Sequence, residues 1–537
     1  MRSSTRRLSV IGLIALFLAV VMAIWVVLGA AETKQTSAVA ANAAGAAKET
    51  AADTKPDKCT AMYVGKDVSA EGTMIIARSE DQGSGAYNKL FYVEKASNKA
   101  GRQLVDTGED MNNFAVDLPK ETFKYTTLQD AKDAGDGAYP ACCINEYGLT
   151  VIGTVSTEVS EEYEKLDPVL EFGSGIREAI LPAIPACQAK TAREGVEVLG
   201  AYLDKYSTCE WNTILFSDKN EAWIFENYGG TTYCAMKLPS DKVAVFGNQI
   251  MIDWVDFNDT ENFFFSKNLK KTLDKLENPV KDKKGRYNLV KSITPGGRDE
   301  YSNMRTWRGH QVWAPNSTGD YSDNEYYSLL FTPEKKISVT DVMQLYGDRY
   351  EGTEFDMNLE GNEGRRPIGV TRQGCTHIVQ TFDQLPDRTC QLQWLSMGNA
   401  EHAVFVPAFS GITDTYAKYQ VDNEESGVIN DSYYFTCKKI CSLAETDREF
   451  LSQGVKDYNL KQEKKMLKEM LAQVPVILKK YDRFNFVGDR YVTSLAEKVA
   501  VEQYNNAEAL YKRLAYVQMD NLNDRADNER KVVFEMK

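Results

Sequence analysis

The stretch over residues 58–81 constrains the fold most, because it is the first place where the chain has the pattern of paired β-strands. Residues 59–64 form a short, partly alternating apolar run, and residues 74–78 form a second one. The polar residues 69–72 between them, which end in a glycine, are typical of a hairpin connection. The sequence therefore predicts a β-hairpin at the start of a globular region that begins at Cys59.

The residues before this hairpin have the composition of a delivery segment. Arginines at positions 2, 6 and 7 precede an uninterrupted apolar run over residues 10–31. A basic start followed by an apolar run is an export signature, and the run is close to the ~20 residues that span a bilayer. We predict that residues 1–31 are a cleaved signal peptide or an uncleaved membrane anchor, with the rest of the chain outside the cytoplasm. Residues 32–58, rich in Ala, Thr, Lys and Ser, are predicted to be a disordered linker or pro-segment.

Composition bounds the remaining possibilities. The chain has 537 residues, of which 43% are hydrophobic, so it has enough core material for a large domain with one or two additions. Its net charge is -14. This charge argues against a nucleic-acid partner, which would need clustered basic residues.

The numbers of cysteines and histidines limit the possible chemistry. Ten cysteines are too few for a small disulfide scaffold and show no paired zinc-site spacing. The three histidines are His310, His377 and His402. The sequence contains no HExxH, GxSxG or Walker A motif. We therefore predict neither a metal nor an organic cofactor, and a base other than histidine is needed.

The order of local patterns predicts an α+β domain over residues 59–441 and a helical extension over residues 442–537. Strand-like runs alternate with helical periodicity, and no repeat of 20 to 50 residues is present. Predicted strands after the hairpin are 89–95, two within 138–157, 213–216, 222–226, 235–238, 243–249, 374–382, 392–395 and 403–406. Predicted helices are two within 176–206, then 269–276, 340–350, one that ends before Pro475, and 495–514.

Cys59 is the candidate nucleophile, on the hypothesis that the chain is cut before it. A thiol with a pKa near 8.5 needs a base at neutral pH, and an α-amino group with a pKa of about 7.7 to 8.0 is a suitable one. A terminal cysteine carries both groups. Arg78 and Asp81, three residues apart, are then placed to orient the thiolate and the amine. From the residues alone, a buried structural cysteine and a surface ion pair remain alternatives.

The chain resembles the PepD-type dipeptidases, which are cysteine N-terminal-nucleophile hydrolases more distantly similar to penicillin V acylases and choloylglycine hydrolases. The resemblance runs from Cys59 into the 430s, and departs from the family where Ser79 follows Arg78 in place of the usual Asn. The motifs that carry it are Cys59-Thr60, Val64-Gly65-Lys66, the run from Gly72 to Asp81, Asn145-Glu146-Tyr147-Gly148, Ile176-Arg177-Glu178, Glu226, Val245-Phe246-Gly247-Asn248-Gln249, the run from Tyr301 to Gly309, and Thr376-His377-Ile378.

The resemblance implies a four-layer αββα sandwich and cleavage of amide bonds through an acyl-enzyme. It implies that Cys59 is the nucleophile, that Arg78 and Asp81 position its terminus, and that Asn248 donates to the oxyanion. It assigns Arg305 a place near the nucleophile, less firmly because Arg308 competes for that role. A second oxyanion donor is expected at the backbone of residue 154 or 155.

Each of these assignments has a plainer alternative. Asn248 follows a glycine and is compatible with a simple turn, and the arginines with structural ion pairs. Asn145 is expected to form a turn, and His310 and His377 to be structural. The paired cysteines at 142 and 143 and at 437 and 441 are expected to be core thiols or disulfide partners rather than metal ligands.

The sequence therefore predicts an exported cysteine dipeptidase that takes small peptides and is attached to the membrane only if the apolar segment stays uncleaved. One alternative is an acyl-amide hydrolase of the same fold, similar to penicillin V acylase or bile-salt hydrolase. The other is a membrane-anchored surface protein without enzymatic activity, in which Cys59 is never exposed.

Overall fold

A computed structural model describes residues 58–81, 88–131, 137–294, 300–362, 364–423 and 427–524. The predicted signal or anchor segment 1–31 and nearly all of the linker 32–58 lie outside these residues. Within the described ranges, no helix combines the length and the apolar composition needed to cross a bilayer.

The predicted hairpin is present at the start of the described chain. Strand β1, Lys58–Val64, pairs antiparallel with strand β2, Met74–Asp81, and the register places Lys58 opposite Asp81. The connection contains a single 3₁₀ turn, and Gly72 adopts φ +67°, where a side chain would be strained. Every residue of β2 is buried, so the hairpin lies inside the molecule.

The hairpin forms the second and third strands of a six-stranded sheet with the order β12-β1-β2-β16-β17-β18. The edge strand β18 contains a proline. An edge strand tolerates this residue, because one of its sides has no neighbouring strand to receive a backbone N–H. The position predicted for the last strand, 403–406, is wrong, because the strand there is β18, which begins at Val406. The other strands of this sheet are β12 (Val243–Phe246), β16 (Gln373–Thr381), β17 (Gln391–Met397) and β18 (Val406–Phe409).

A second sheet of eight strands packs on the first, with the order β14-β11-β10-β9-β8-β7-β6-β3. Two short ribbons, β4 with β5 and β13 with β15, complete the described strands. The bounds are β3 (Lys89–Glu94), β4 (Gln103–Val105), β5 (Ala115–Asp117), β6 (Tyr125–Asp130), β7 (Cys142–Asn145), β8 (Thr150–Ser156), β9 (Asn212–Ser217), β10 (Ala222–Asn227), β11 (Tyr233–Leu238), β13 (Trp254–Val255), β14 (Phe263–Phe265) and β15 (Tyr287–Asn288).

Helices cover the outer face of each sheet. Helices α2 and α3 contact the eight-stranded sheet, and helices α6 to α10 contact the six-stranded sheet. The order of layers is therefore helix, sheet, sheet, helix, which is the αββα sandwich that the resemblance implies. The helices are α1 (Glu161–Leu166), α2 (Ala183–Ala186), α3 (Ala192–Tyr206), α4 (Leu269–Leu273), α5 (Leu289–Ile293), α6 (Glu300–Trp313), α7 (Val339–Tyr346), α8 (Tyr433–Thr446), α9 (Gln453–Tyr481) and α10 (Asn485–Asp524).

The pleat of β1 divides its side chains between two cores. Cys59, Ala61 and Tyr63 enter the core between the sheets, whereas Met62 and Val64 enter the core under the helices. Each large apolar side chain buried in this way stabilises the fold by about 1.5–3 kcal/mol. The alternation therefore fixes the register and directs the Cys59 side chain into the space between the sheets.

The helices predicted at 269–276, 340–350 and 495–514 are present as α4, α7 and part of α10, whereas α1, α5 and α8 were not predicted. Helix α6 was not predicted, and residues 302–309 within it are all buried, so its sequence lacks an amphipathic period. Helix α9 continues through Pro475 to Tyr481 and does not end before it.

The predicted boundary at residues 441 and 442 falls inside helix α8, and an ionic cluster joins the two sides. Glu401 accepts hydrogen bonds from Arg448 at 2.7 Å and from Lys456 at 3.2 Å, and His402 donates or accepts at 2.7 Å with Ser452. Burial raises the pKa of Glu401, but the nearby His402, Arg448 and Lys456 lower it by more, so that the resulting pKa is about 2. The helical segment is thus tied to the sheets by a buried carboxylate.

Replacing Glu401 with Gln is expected to destabilise the protein by about 2–4 kcal/mol at pH 7. A carboxylate whose pKa is lowered on folding stabilises the fold above its unfolded pKa of about 4.3, and this contribution is lost as the pH falls toward 2. Urea unfolding from pH 7 down to pH 3 should therefore show a shrinking difference from the wild type. The exposed Glu354→Gln variant is the control and should change little; a difference for Glu401→Gln that does not vary with pH would contradict the ionic role.

Candidate active site

Cys59 lies near the start of β1, in the space between the two sheets. Its side chain is only 3% exposed. In the uncut chain its backbone nitrogen is a peptide N–H, which donates to Asn248 Oδ1 at 3.1 Å. Its Sγ accepts a hydrogen bond from Arg78 Nη2 at 3.0 Å. The nitrogen and the sulfur of one residue are therefore each held by a separate side chain.

The surroundings keep the Cys59 thiol protonated in the uncut chain. Burial raises the pKa of this thiol to about 12, and the cation of Arg78 offsets only part of that effect. The carboxylates of Glu178, Asp81 and Glu80 raise it further. A thiol with this pKa is almost entirely neutral at pH 7, and a neutral thiol is a poor nucleophile.

Arg78 is fully buried, and acidic side chains surround it. Its guanidinium donates to Glu178 Oε1 at 3.0 Å and to Glu80 Oε2 at 3.3 Å. Lys89 links Glu80 to Asp130, so the charges alternate through the core. A buried charge is tolerated when it is paired and hydrogen-bonded, and the carboxylates therefore keep Arg78 charged beside the sulfur.

Arg305 and Asn248 meet on the main-chain side of Cys59. Arg305 donates to the Cys59 carbonyl oxygen, to Thr60 Oγ1 at 2.9 Å and to Asn248 Oδ1 at 3.0 Å. The two donors on Asn248 Oδ1 fix the orientation of the amide. The residue before Asn248 is Gly247, where an added Cβ would lie 2.6 Å from the Arg305 guanidinium, so only glycine leaves room for this contact.

Asp81 is paired with a second buried arginine. Its Oδ2 accepts a short hydrogen bond from Arg366, and both side chains are buried. Its Oδ1 has no hydrogen-bond partner in the part of the chain that the structure describes. In the uncut chain the Cys59 nitrogen donates to Asn248, so the predicted role of Asp81 at a free amine stays a prediction.

The second oxyanion donor was expected at residue 154 or 155 of β8. The pairing of β8 with β9 shifts register between Gly153 and Val155. Such a bulge leaves a backbone group outside the regular ladder and is frequent beside active sites. Strand β8 also contacts β1 across the sheet interface.

The five predicted site residues lie close together in the structure. They are Cys59, Arg78, Asp81, Asn248 and Arg305. Their individual catalytic roles remain predictions.

Two residues at the site were not predicted as site residues. Glu178 contacts Arg78, and Arg366 contacts Asp81. Glu178 was part of the resemblance but carried no assigned role. Arg366 lies between helix and strand patterns, beside Arg365, and nothing in the local sequence distinguishes one arginine from the other.

The histidines do not supply a base for Cys59. His377 lies opposite Arg78 in the register of β2 and β16, and burial together with Arg78 lowers its pKa to about 3. His310 stacks on Phe331 and bonds to the Ser328 carbonyl. A group with a pKa near 3 is too weak a base to take a proton from a thiol at neutral pH.

One group of possible metal ligands occurs among the described residues, namely Glu401, His402 and Glu445. Arg448 donates to both carboxylates, at 2.7 Å in each case. A site whose carboxylates are already neutralised by cations is unfavourable for a further cation. These residues therefore act in the ionic cluster that joins the helical segment to the sheets.

All ten cysteines lie within the described residues, and each is buried with a free thiol. Cys142 and Cys143 lie next to each other on β7, and Cys437 and Cys441 lie one turn apart on α8. In the structure the members of both pairs are therefore buried core thiols and not disulfide partners.

Comparison with known proteins gives consistent matches. The model of peptidase family C69 matches residues 58–461. A probable dipeptidase B of Streptococcus pyogenes serotype M1 is 28% identical over 491 residues, which are 88% of this chain and 94% of that protein. A probable dipeptidase B of Lactococcus lactis subsp. lactis (strain IL1403) is 30% identical over 371 residues, or 67% of this chain and 76% of that protein.

A solved structure of a mutant conjugated bile acid hydrolase from Clostridium perfringens is also similar. It shares 11% sequence identity with a TM-score of 0.30, and the alignment covers 70% of this chain and 98% of that chain.

The pair of Asp81 and Arg366 gives a test of the site geometry. Arg366→Gln leaves a buried carboxylate without its cation and should lower the free energy of unfolding by about 3–5 kcal/mol. Adding Asp81→Asn removes that charge, so the double variant should regain about half of the loss. Urea unfolding of the four proteins of the cycle measures this coupling.

The matched control is Arg365→Gln, because Arg365 bonds to the exposed Glu300. A pair this exposed is worth less than about 1 kcal/mol. Additive losses in the double variant would show that Arg366 and Asp81 do not act as a pair.

Proposed function

The chain belongs to peptidase family C69, and from this membership we propose that it is an exported cysteine dipeptidase whose nucleophile is Cys59, freed as the N-terminus by a cut after Lys58. The observation that carries the proposal is the separate binding of the two functional atoms of one residue. Asn248 holds the Cys59 nitrogen, and Arg78 holds the Cys59 sulfur. The relatives named as probable dipeptidases support small peptides as substrates.

In the first half of the proposed reaction, the free α-amine of Cys59 takes the thiol proton. The thiolate attacks the peptide carbonyl carbon, and the carbonyl electron pair moves to oxygen. The amide nitrogen of Asn248 and a backbone N–H of β8 stabilise that oxyanion. The C–N bond then breaks, the leaving amine takes the proton from the α-ammonium, and a thioester remains on Cys59.

In the second half, water attacks the thioester carbonyl and gives its proton to the α-amine. The C–S bond breaks, the first amino acid leaves, and the sulfur takes back the proton from the ammonium. Arg78 favours the thiolate through its charge throughout. The cycle uses only groups of the chain, the peptide and water.

Cleavage before Cys59 changes the chemistry of both functional atoms. A peptide nitrogen is not a base, whereas a terminal amine with a pKa of about 7.7 to 8.0 is. The new ammonium also places a positive charge beside the sulfur, which lowers the thiol pKa from its raised value. Asp81 Oδ1, buried and without a partner among the described residues, is a suitable acceptor for this ammonium, since Asp81 lies opposite Lys58.

The proposed location is outside the cytoplasm. It is supported by the arginines and the apolar run at residues 10–31, and the family match begins only at residue 58. If the apolar run is an anchor, the cut before Cys59 releases the enzyme from the membrane. Activation and release would then be the same event.

Activity should depend on the fraction of chains that begin at Cys59. Changing residues 54–56 to Asp, with Asp57 and Lys58 kept, creates Asp-Asp-Asp-Asp-Lys, and enteropeptidase cuts after this lysine. Hydrolysis of unblocked dipeptides by the purified full chain should rise in proportion to the fraction of chains that are cut. At complete cutting the rise should be at least about 100-fold, since a positioned base contributes this much. N-terminal sequencing measures the cut fraction.

The same samples separate the enzyme classes. Hydrolysis of unblocked dipeptides without hydrolysis of penicillin V or bile-salt conjugates supports the dipeptidase. The reverse preference identifies an acyl-amide hydrolase, and equal activity before and after the cut would disprove the terminal-cysteine mechanism.

Cys59→Ala should abolish dipeptide hydrolysis and, if the cut is autocatalytic, leave the chain uncut. The control is Cys234→Ala, which removes another buried thiol from the same core between the sheets and should keep both properties. Sequencing and fractionation into membrane and medium report on cutting and release. Dipeptide hydrolysis retained by Cys59→Ala would exclude Cys59 as the nucleophile.

A further inference from the structure

A dipeptide presents a dipeptidase with a charge close to the bond that is cut. Its α-ammonium nitrogen lies two bonds from the carbonyl carbon, at about 2.5 Å. During attack the sulfur is about 3–3.5 Å from that carbon, so the ammonium is within about 6 Å of Sγ. A group that recognises the ammonium must therefore lie close to Cys59, and a carboxylate there would also complement its charge.

Glu178 is at the required distance. Its Oε1 and Cys59 Sγ accept hydrogen bonds from the same nitrogen, Arg78 Nη2, each at 3.0 Å. The sulfur and the carboxylate oxygen are therefore no more than about 6 Å apart, twice the length of one contact. Glu178 is 6% exposed, so its charge acts in a poorly screened environment.

We propose that Glu178 binds the α-ammonium group of the dipeptide substrate and thereby restricts the enzyme to peptides with a free N-terminus. The inference rests on the proposed dipeptidase function and adds to it the residue that selects an unblocked amine. Glu178 is a specificity residue in this proposal, since it contacts the substrate but not the bond that is broken.

The position of Glu178 on the expected oxyanion side supports this assignment. A Cβ added at Gly153 of β8 would lie 3.6 Å from Glu178 Cγ and 3.7 Å from Oε1. Strand β8 provides the expected backbone donor for the oxyanion just beyond Gly153. A substrate whose carbonyl oxygen points to this donor therefore places its adjacent ammonium near Glu178.

The electrostatic environment also favours a cation at this place. Glu210 accepts a hydrogen bond from the backbone N–H of Glu178, and burial followed by the charge of Glu178 raises the pKa of Glu210 to about 7. The part of this rise that comes from Glu178 shows that a second negative charge beside it is unfavourable. A substrate ammonium placed there would offset this repulsion.

The contact with Arg78 does not exclude the substrate. A carboxylate has about four lone-pair positions and can accept from more than one donor. Arg78 also donates to Glu80, so its own charge is shared between two carboxylates. Glu178 can therefore hold Arg78 and an ammonium group together.

The competing explanation is that Glu178 only positions Arg78. Glu80 provides the comparison, because it is the other carboxylate bound to Arg78 and lies on the neighbouring strand β2. If holding Arg78 were the whole role, Glu178→Gln and Glu80→Gln would affect all substrates alike. Only an ammonium-binding residue changes the preference between a charged and an uncharged substrate.

The test compares two substrates on the mature enzyme. One is the best unblocked dipeptide of a panel, and the other is its 2-hydroxyacyl counterpart, in which a hydroxyl group replaces the ammonium. The ratio of their kcat/KM values is measured for the wild type, Glu178→Gln and Glu80→Gln. Because both substrates meet the same sample, a misfolded or uncut fraction cancels from the ratio.

The wild type should prefer the amine by about 10- to 100-fold, as expected for a hydrogen bond between charged groups. Glu178→Gln should lose most of this preference, mainly through the dipeptide. Glu80→Gln should keep the preference even if both rates fall. Glu178→Asp, which keeps the charge on a shorter side chain, should retain part of it.

The outcomes distinguish this inference from the proposed function. A wild-type ratio near one, or a full preference in Glu178→Gln, would refute the role of Glu178 while leaving an active dipeptidase. If Glu178→Gln yields no active enzyme, the wild-type ratio and Glu178→Asp decide: a preference in Glu178→Asp that is smaller than in the wild type supports the role, and an unchanged preference refutes it. A wild type that hydrolyses no dipeptide overturns the proposed function and this inference with it.

Discussion

The burial of Arg78 beside the Cys59 sulfur is the constraint on which the rest of the site depends. A guanidinium cannot be taken out of water between two sheets unless anions accompany it. Glu80 and Glu178 supply them, Lys89 then balances Glu80, and Asp130 in turn balances Lys89. One buried charge next to the Cys59 sulfur thus accounts for a chain of paired charges between the sheets.

The layered fold makes this burial possible. Both faces of the six-stranded sheet are covered, so the side of β1 that carries Cys59 faces the eight-stranded sheet and not water. Helix α6 approaches closely enough for Arg305 to reach the Cys59 carbonyl, because Gly309 lets the helix pack against Val245 on β12. Backbone packing and site geometry are therefore set by the same contacts, and a change at Gly309 acts on the site through Arg305.

Much of the fold follows from the sequence, because the hairpin and most strands are short apolar runs separated by turns. The helix α6 does not, since a helix buried on all sides has no polar face and therefore no period of 3.6 residues to detect. At the site, Cys59, Arg78 and Asp81 were proposed from the residues themselves, and the resemblance added Asn248 and Arg305. Arg366 and the contact of Glu178 with Arg78 could not be predicted, because each joins segments far apart in sequence by a geometry that only the folded chain defines.

The depth of Cys59 in the uncut chain has a consequence for its chemical survival. Oxidants and alkylating agents attack the thiolate form of an accessible cysteine. Cys59 is 3% exposed and protonated, with a pKa of about 12, so it meets neither condition. The same burial that holds the thiol neutral therefore also protects the sulfur from oxidation.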